Sequence, residues 1–430
     1  MARLAIQSMA FKGYGLARLD GKILFVSYAV TGDEVEAEII QERKDYAVAK
    51  LVHLLKPSPW RVEPRCPYFG TCGGCQWQHI DYGVQAELKR RILEETLTRL
   101  GRLKEIPSIE VVPSPRFYDY RTRVQFKVKG KMLGFFAERS YRVVDIRSCP
   151  IADPLINQIL LFLRQSHPLF RSVNEIEVNI SPGSGHGVLI VHPLVFDQGM
   201  RKALQGFLRT HPTLKGIAVT TAGRLEILGD PYLTYTISIP AEGPPGNLLL
   251  RTSPESFFQV NLEQNQRLID TVLQFADLRG EEEVLDLYAG VGNLTLPLAL
   301  SSQSALGIEG NRTAAEDARF NAERNGIENC RFVHGKVEEV LPTLGREKID
   351  VAVVDPPRTG CKAAVRALIG LCPRRIVYVS CNPATLARDL YLFATHGYSP
   401  QAIRLLDFFP QSYHMEAVAA LRSPYSGDTR

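Results

Sequence analysis

Cys381 stands in Ile376-Val-Tyr-Val-Ser-Cys-Asn-Pro383, where a short β-run reaches a turn and a helix begins. A thiol at the carboxyl end of a strand lies where open α/β sheets present ligands. The dipole of the following helix favours its thiolate. Taken alone, such a cysteine is more often a small buried residue that closes a strand. Two flanking motifs argue for more. Upstream, Val351-Ala-Val-Val-Asp-Pro-Pro-Arg-Thr-Gly360 is an apolar strand that ends at Asp355. Downstream, Asp407-Phe-Phe-Pro-Gln-Ser-Tyr-His-Met-Glu-Ala-Val418 offers His414 and Glu416 as bases. A nucleophile and a nearby base suit covalent catalysis.

A second constellation is Cys66, Cys72 and Cys75, spaced x5 and x2 around a Gly-Gly pair, with Cys149 in Arg147-Ser-Cys-Pro150 as the fourth thiol. Four thiolates hold zinc or an iron–sulfur cluster, and spacing alone does not choose between them. A third is Leu285-Asp-Leu-Tyr-Ala-Gly-Val-Gly-Asn-Leu-Thr295, which joins a strand to a helix. Gly290 and Gly292 allow close backbone approach to a ligand. The third glycine of the pyrophosphate fingerprint is missing, which disfavours a dinucleotide. Glu309, at the end of the next strand, could accept both hydroxyls of a ribose.

Asp-Pro-Pro-Arg, Ser-Cys-Asn-Pro and Phe-Pro-Gln-x-x-His-x-Glu together resemble the RNA 5-methyluridine (uracil-C5) methyltransferase family, in its iron–sulfur branch. The resemblance covers nearly the whole chain and is nearest to the large-subunit (23S) rRNA enzymes. It implies S-adenosylmethionine as methyl donor and a [4Fe-4S] cluster on Cys66, Cys72, Cys75 and Cys149. It makes Cys381 the nucleophile and Glu416 the base. It places Gln259, Tyr288, Asn293, Glu309 and Asp355 around the cofactor, beside Gly290. RNA is then the partner, rRNA ahead of tRNA, with no obligate protein partner implied.

The elements that must position these residues fall into three parts, giving an α/β fold. Residues 1–58 read as an OB-like β-barrel similar to the TRAM module, with strands Lys22–Val26, Glu34–Ile40 and Tyr46–Val52. Residues 59–240 form a mixed α/β domain with the cysteines and an amphipathic helix, in which Val84, Leu88, Ile92, Leu93, Leu97 and Leu100 share one face. Its stretch Arg116–Arg147 holds nine Lys/Arg against three Asp/Glu. Aromatic residues alternate with these cations, a pattern that suits unstacked RNA or an amphipathic sheet equally. Residues 241–430, past the Pro- and Gly-rich Pro240–Gly246, alternate strand and helix. Seven strands are expected there, from Glu283–Leu287 to Met415–Ala420, in a doubly wound, Rossmann-like sheet of the class I methyltransferase kind.

Composition agrees. The 430 residues are 45% hydrophobic and 23% charged, with a net charge of +5. No apolar run is long enough for a bilayer, and no signal-peptide pattern opens the chain. A cytoplasmic location, with reduced cysteines, is the expectation. Two other functions compete. Methylation of an exocyclic amine would suit Asp-Pro-Pro but leave Cys381 and Glu416 without a role. An iron–sulfur RNA-binding or redox-sensing protein would not need an intact cofactor loop.

Overall fold

The structure is a computed structural model that describes residues 1–424 other than 104, 222, 240–245 and 346–347. The expected Pro- and Gly-rich boundary therefore lies outside the described residues, except for Gly246. The alternation in Glu34–Glu42 turns Val35 and Ala37 inward and its glutamates outward. With five more strands it builds a sheet ordered Ala2–Ala5, Glu34–Glu42, Tyr46–Lys56, Lys22–Ser27, Tyr14–Leu19 and Ser8–Ala10. The sheet encloses a small core that includes Leu4, Leu24, Val26 and Val35.

The second sheet has seven strands between Arg123 and Gly229. Helices Pro154–Gln165 and Gln198–Thr210 carry apolar stripes that share its core with Phe126 and Ile176. This core settles much of the basic, aromatic stretch. Tyr120 and Phe126 are buried. Arg123 and Lys127 pair with Glu177 and Glu175 across to the neighbouring strand, and Arg116 pairs with Glu263. Part of the pattern is thus the amphipathic sheet, while Tyr141 stays exposed.

The third sheet has eight strands, ordered Cys330–His334, Ser304–Glu309, Glu283–Leu287, Val351–Val354, Arg375–Ser380, Glu416–Arg422, Ser399–Leu406 and Ile109–Val112. The first five are parallel, and Glu416–Arg422 runs antiparallel between two of its neighbours. All seven expected strands are present, with ends shifted by a residue or two. The eighth, Ile109–Val112, comes from far upstream and pairs in parallel with Ser399–Leu406. Four residues are too few to show a periodicity.

Helix Tyr82–Arg99 also belongs to this layer. Leu88, Ile92, Leu93 and Leu97 join the core beneath the third sheet, whereas Leu100 falls beyond the helix and is exposed. The same helix carries Lys89, whose ammonium is fully buried and donates to Asp407 Oδ1 at 2.5 Å and to the Phe409 carbonyl at 3.1 Å. Gln85 adds to it: its amide oxygen accepts from the Gln411 N–H, and its amide nitrogen donates to Gln411 Oε1. The loop leading to Glu416 is therefore clamped by residues some 320 positions upstream. Lys89→Met would strand a buried carboxylate, so the unfolding free energy in urea should fall by about 3–5 kcal/mol. Adding Asp407→Asn should return part of that loss. Unchanged stability in the single variant would mean that the pair does not hold the loop.

Candidate active site

Strand ends bring the chemistry together. Ser380 pairs with Ala417, so the next residues along the two antiparallel strands, Cys381 and Glu416, meet at the sheet's edge. Asp355 follows Val354 on the adjacent strand, and its N–H donates to the Leu287 carbonyl at 3.2 Å. Asn382 caps helix Pro383–Ala394 by accepting from the Ala384 N–H, and Pro383 opens the first turn. Cys381 thus stands at a strand end and a helix start, as its sequence suggested.

Its ionisation differs from that expectation. The thiol is pushed up to about 11, first by burial and then by Glu416 and Asp355, while Arg358 pulls it down by charge and a hydrogen bond. Desolvation and the two carboxyl groups therefore outweigh Arg358. Glu416 is buried and pushed well above the carboxylate range by burial and by Asp355, again against Arg358. Burial likewise raises Asp355 to about 7.

His414 does not share a strand with Glu416, because the strand begins at Glu416. Its ring packs beside Tyr413 and Phe409, and burial with Arg358, Lys89 and Arg121 lowers it to about 3.

A small cavity opens at the carboxyl ends of the parallel strands. Gln259, Tyr288, Gly290, Asn293 and Asp355 all line it. Tyr288 and Gly290 adopt left-handed backbone with φ of 66° and 56°. The Tyr288 hydroxyl donates to Glu338. Glu309 lies just behind this lining, its carboxylate accepting from the N–H groups of Gly290 at 2.8 Å and Asn311 at 2.6 Å. Two neighbours escaped the sequence reading. Asn265 exchanges amide hydrogen bonds with Asn293, at 2.9 and 2.8 Å. Asp286, raised to about 7 by burial, accepts from Thr295 and lines the cavity. Only its place at a strand end before the glycines could have marked it.

A larger cavity of about 540 Å3 adjoins, with Phe257 on the walls of both. Cys66, Cys72, Cys75 and Cys149 share its lining with Arg121, Arg358 and His414. All four cysteines are free thiols, raised by burial, and the charges of their thiolates oppose one another. Among the described residues no three or more His, Cys, Asp or Glu side chains are grouped to hold a metal ion. The cysteines are brought to one wall, and the structure shows no more of a metal site than that.

The sequence model of the tRNA (uracil-5-)-methyltransferase family matches residues 81–423. The chain belongs to this family. It is an S-adenosylmethionine-dependent RNA (uracil-5-)-methyltransferase. A 23S rRNA (uracil(1939)-C(5))-methyltransferase of Aromatoleum aromaticum is 35% identical, over 96% of this chain and 98% of that protein. An uncharacterized RNA methyltransferase of Gloeobacter violaceus is 36% identical, over 97% of this chain and 95% of its own length. The crystal structure of the Pyrococcus abyssi tRNA (uracil-54, C5)-methyltransferase with S-adenosyl-L-homocysteine superposes with a TM-score of 0.77. It is 26% identical and covers 98% of this chain and 100% of that one. Among the described residues of the methyltransferase, no helix is long and apolar enough to cross a membrane.

The raised thiol has a direct consequence. Thiolate forms only as pH rises toward 11, so alkylation of Cys381 by iodoacetamide should climb about tenfold per pH unit between 7 and 10. Peptide-resolved mass spectrometry would follow it. A plateau by pH 8 would contradict the desolvated setting.

Proposed function

We propose that this enzyme methylates carbon 5 of a uridine in 23S rRNA through a covalent Cys381–uracil intermediate. The observation that carries the reading is the meeting of Cys381 and Glu416 one step beyond the Ser380–Ala417 pair, with Asp355 and Arg358 beside them. S-adenosylmethionine supplies the methyl group when bound. Gln259, Tyr288, Gly290, Asn293 and Asp355 suit its site because they wall one cavity at the strand ends, and Glu309 stands behind Gly290 for the ribose.

Carbon 5 of uracil is a poor nucleophile. Addition of the Cys381 thiolate to carbon 6 moves the ring's π electrons toward carbon 5 and oxygen 4, which lets carbon 5 take the methyl group. Glu416 then accepts the carbon 5 proton. The electron pair left behind re-forms the double bond and expels the thiolate. A carboxylate made more basic by burial suits that transfer, whereas an imidazole lowered to about 3 is a weaker base. Glu416 is therefore assigned the role over His414.

Cys66, Cys72, Cys75 and Cys149 would supply the thiolates of a [4Fe-4S] cluster. Their thiolates would be mutually repelling anions on one largely buried wall, a donor set that a metal centre stabilises. They would orient RNA at the mouth of the uridine pocket. The N-terminal sheet, read as a TRAM module, would add RNA contacts. The 35% identical relative that acts on 23S rRNA supports rRNA as substrate. The Pyrococcus enzyme, acting on tRNA, makes tRNA the second substrate to assay.

Cys381→Ala should abolish methylation of a 23S rRNA fragment while RNA binding persists. Fragments bearing 5-fluorouridine should trap the wild type covalently, since no proton can leave carbon 5. Glu416→Gln should stall as a methylated protein–RNA adduct. Turnover by Cys381→Ala would end the covalent reading, and the adduct in His414→Ala instead would move the base. Methylation of tRNA alone would replace the substrate.

Anaerobically purified protein should be brown and carry about four irons. Stoichiometric zinc without iron would replace the cluster.

A further inference from the structure

The loop after Asp355 brings Arg358 beside Cys381, with its backbone bonded to the neighbouring Asn382 and its charge lowering the thiol, and it hangs from the helix that follows Cys381. The Arg358 carbonyl accepts from Asn382 Nδ2 at 3.1 Å and from the Thr385 hydroxyl at 3.4 Å. The Thr359 carbonyl accepts from the Arg388 guanidinium at 3.0 Å. The Cys361 N–H donates to Asp389 Oδ2 at 3.0 Å. Between them Gly360 has φ of 73°, and a Cβ there would stand 2.4 Å from the Arg388 guanidinium and 2.5 Å from Asp389 Oδ2. The loop thus lies directly against the helix, and only glycine fits at the closest point.

Asp389 is the fixed end of this arrangement. Its carboxylate is completely buried, yet it lines neither of the two cavities described above. Oδ1 accepts from the Arg388 Nε at 2.8 Å. Oδ2 accepts both from the Cys361 N–H and from the Tyr378 hydroxyl at 2.6 Å. Tyr378 lies inside the strand that ends at Cys381, and its hydroxyl also accepts from the Cys361 thiol at 3.5 Å. One carboxylate therefore joins the Cys381 strand, the Cys381 helix and the Arg358 loop.

We infer that Asp389 is a positioning residue for the methyl transfer, holding the loop so that the Arg358 guanidinium stays against the Cys381 sulfur. Around the sulfur, Arg358 opposes Glu416 and Asp355. Around Asp389 stand Arg388, Tyr378 and Cys361, with Tyr288 and Glu338 beyond them from the cofactor side. A loop that drifts leaves the thiolate facing two carboxyl groups without the Arg358 guanidinium. The inference goes beyond the assignment of Cys381 as nucleophile, and rests on it only for the catalytic consequence.

The test is the pH profile of Cys381 alkylation in the full-length protein. Arg358→Gln, at an exposed position, should lower the rate at pH 8 about tenfold, equal to a thiol pKa one unit higher. Asp389→Asn keeps the shape but loses the charge and the double acceptor, and should lower it several-fold in the same direction. Its kcat should fall with KM for RNA unchanged. Asp389→Asn that folds like wild type and alkylates with the wild-type profile would overturn the inference. So would an unshifted profile in Arg358→Gln. Should Asp389→Asn not fold, Gly360→Ala decides: every charge stays, the loop is pushed off the helix, and the same slowing is expected. A wild-type profile there would also overturn the inference. Methylation by Cys381→Ala would refute the nucleophile while leaving this measurement of thiol ionisation standing.

Discussion

A lysine ammonium and a carboxylate, both without access to water, tie the two halves of this protein together. Lys89 and Asp407 are costly to bury singly and repay that cost only as a pair with further hydrogen bonds. The Phe409 carbonyl supplies one, and the Trp77 ring lies 5.7 Å from the ammonium. Gln85 and Gln411 close the same seam, and the Tyr120 hydroxyl donates to the Pro410 carbonyl. The loop before Glu416 thereby acquires one conformation, although Gln411 must take a left-handed φ of 69° within it. Because the N–H groups of Gln76 and Trp77 donate to the Gln411 carbonyl, the cysteine segment is held by the same loop.

Charge at the sheet edge follows a similar logic at smaller scale. Asp286, Asp355 and Glu416 are all raised, chiefly by burial. Acids gather there because the carboxyl ends of the parallel strands meet the start of the antiparallel strand at Glu416, and desolvation then holds back their ionisation. Arg358 is the counterweight for both Glu416 and Cys381. The proposed reaction, with a thiolate first and a carboxylate base later, would have both groups under the influence of one guanidinium.

Much of this was legible from residue order. Strand and helix alternation after residue 283 located seven strands, since buried parallel strands are continuous apolar runs. The motifs around Asp355, Cys381 and Glu416 came together as their positions at strand ends required. What stayed hidden depended on tertiary partners. Ile109–Val112 is too short to announce itself, and Lys89 on an amphipathic helix resembles any solvated cation until Asp407 covers it. Arg123 and Lys127 looked available for phosphates because Glu177 and Glu175 lie about 50 residues away. The raised thiol could not be read because burial is a property of the fold, whereas the helix start is written locally.

The outermost strand has a consequence for how the molecule comes into being. Ile109–Val112 completes the edge beside Ser399–Leu406. Both it and helix Tyr82–Arg99 leave the ribosome well before the strands they cover. Closing so long a loop makes this pairing a late and slow event in folding. Until then Ser399–Leu406 offers a row of unpaired backbone groups to any passing strand. The third sheet is therefore not a cassette that can be excised at residue 241, because its own border is written near the beginning of the chain.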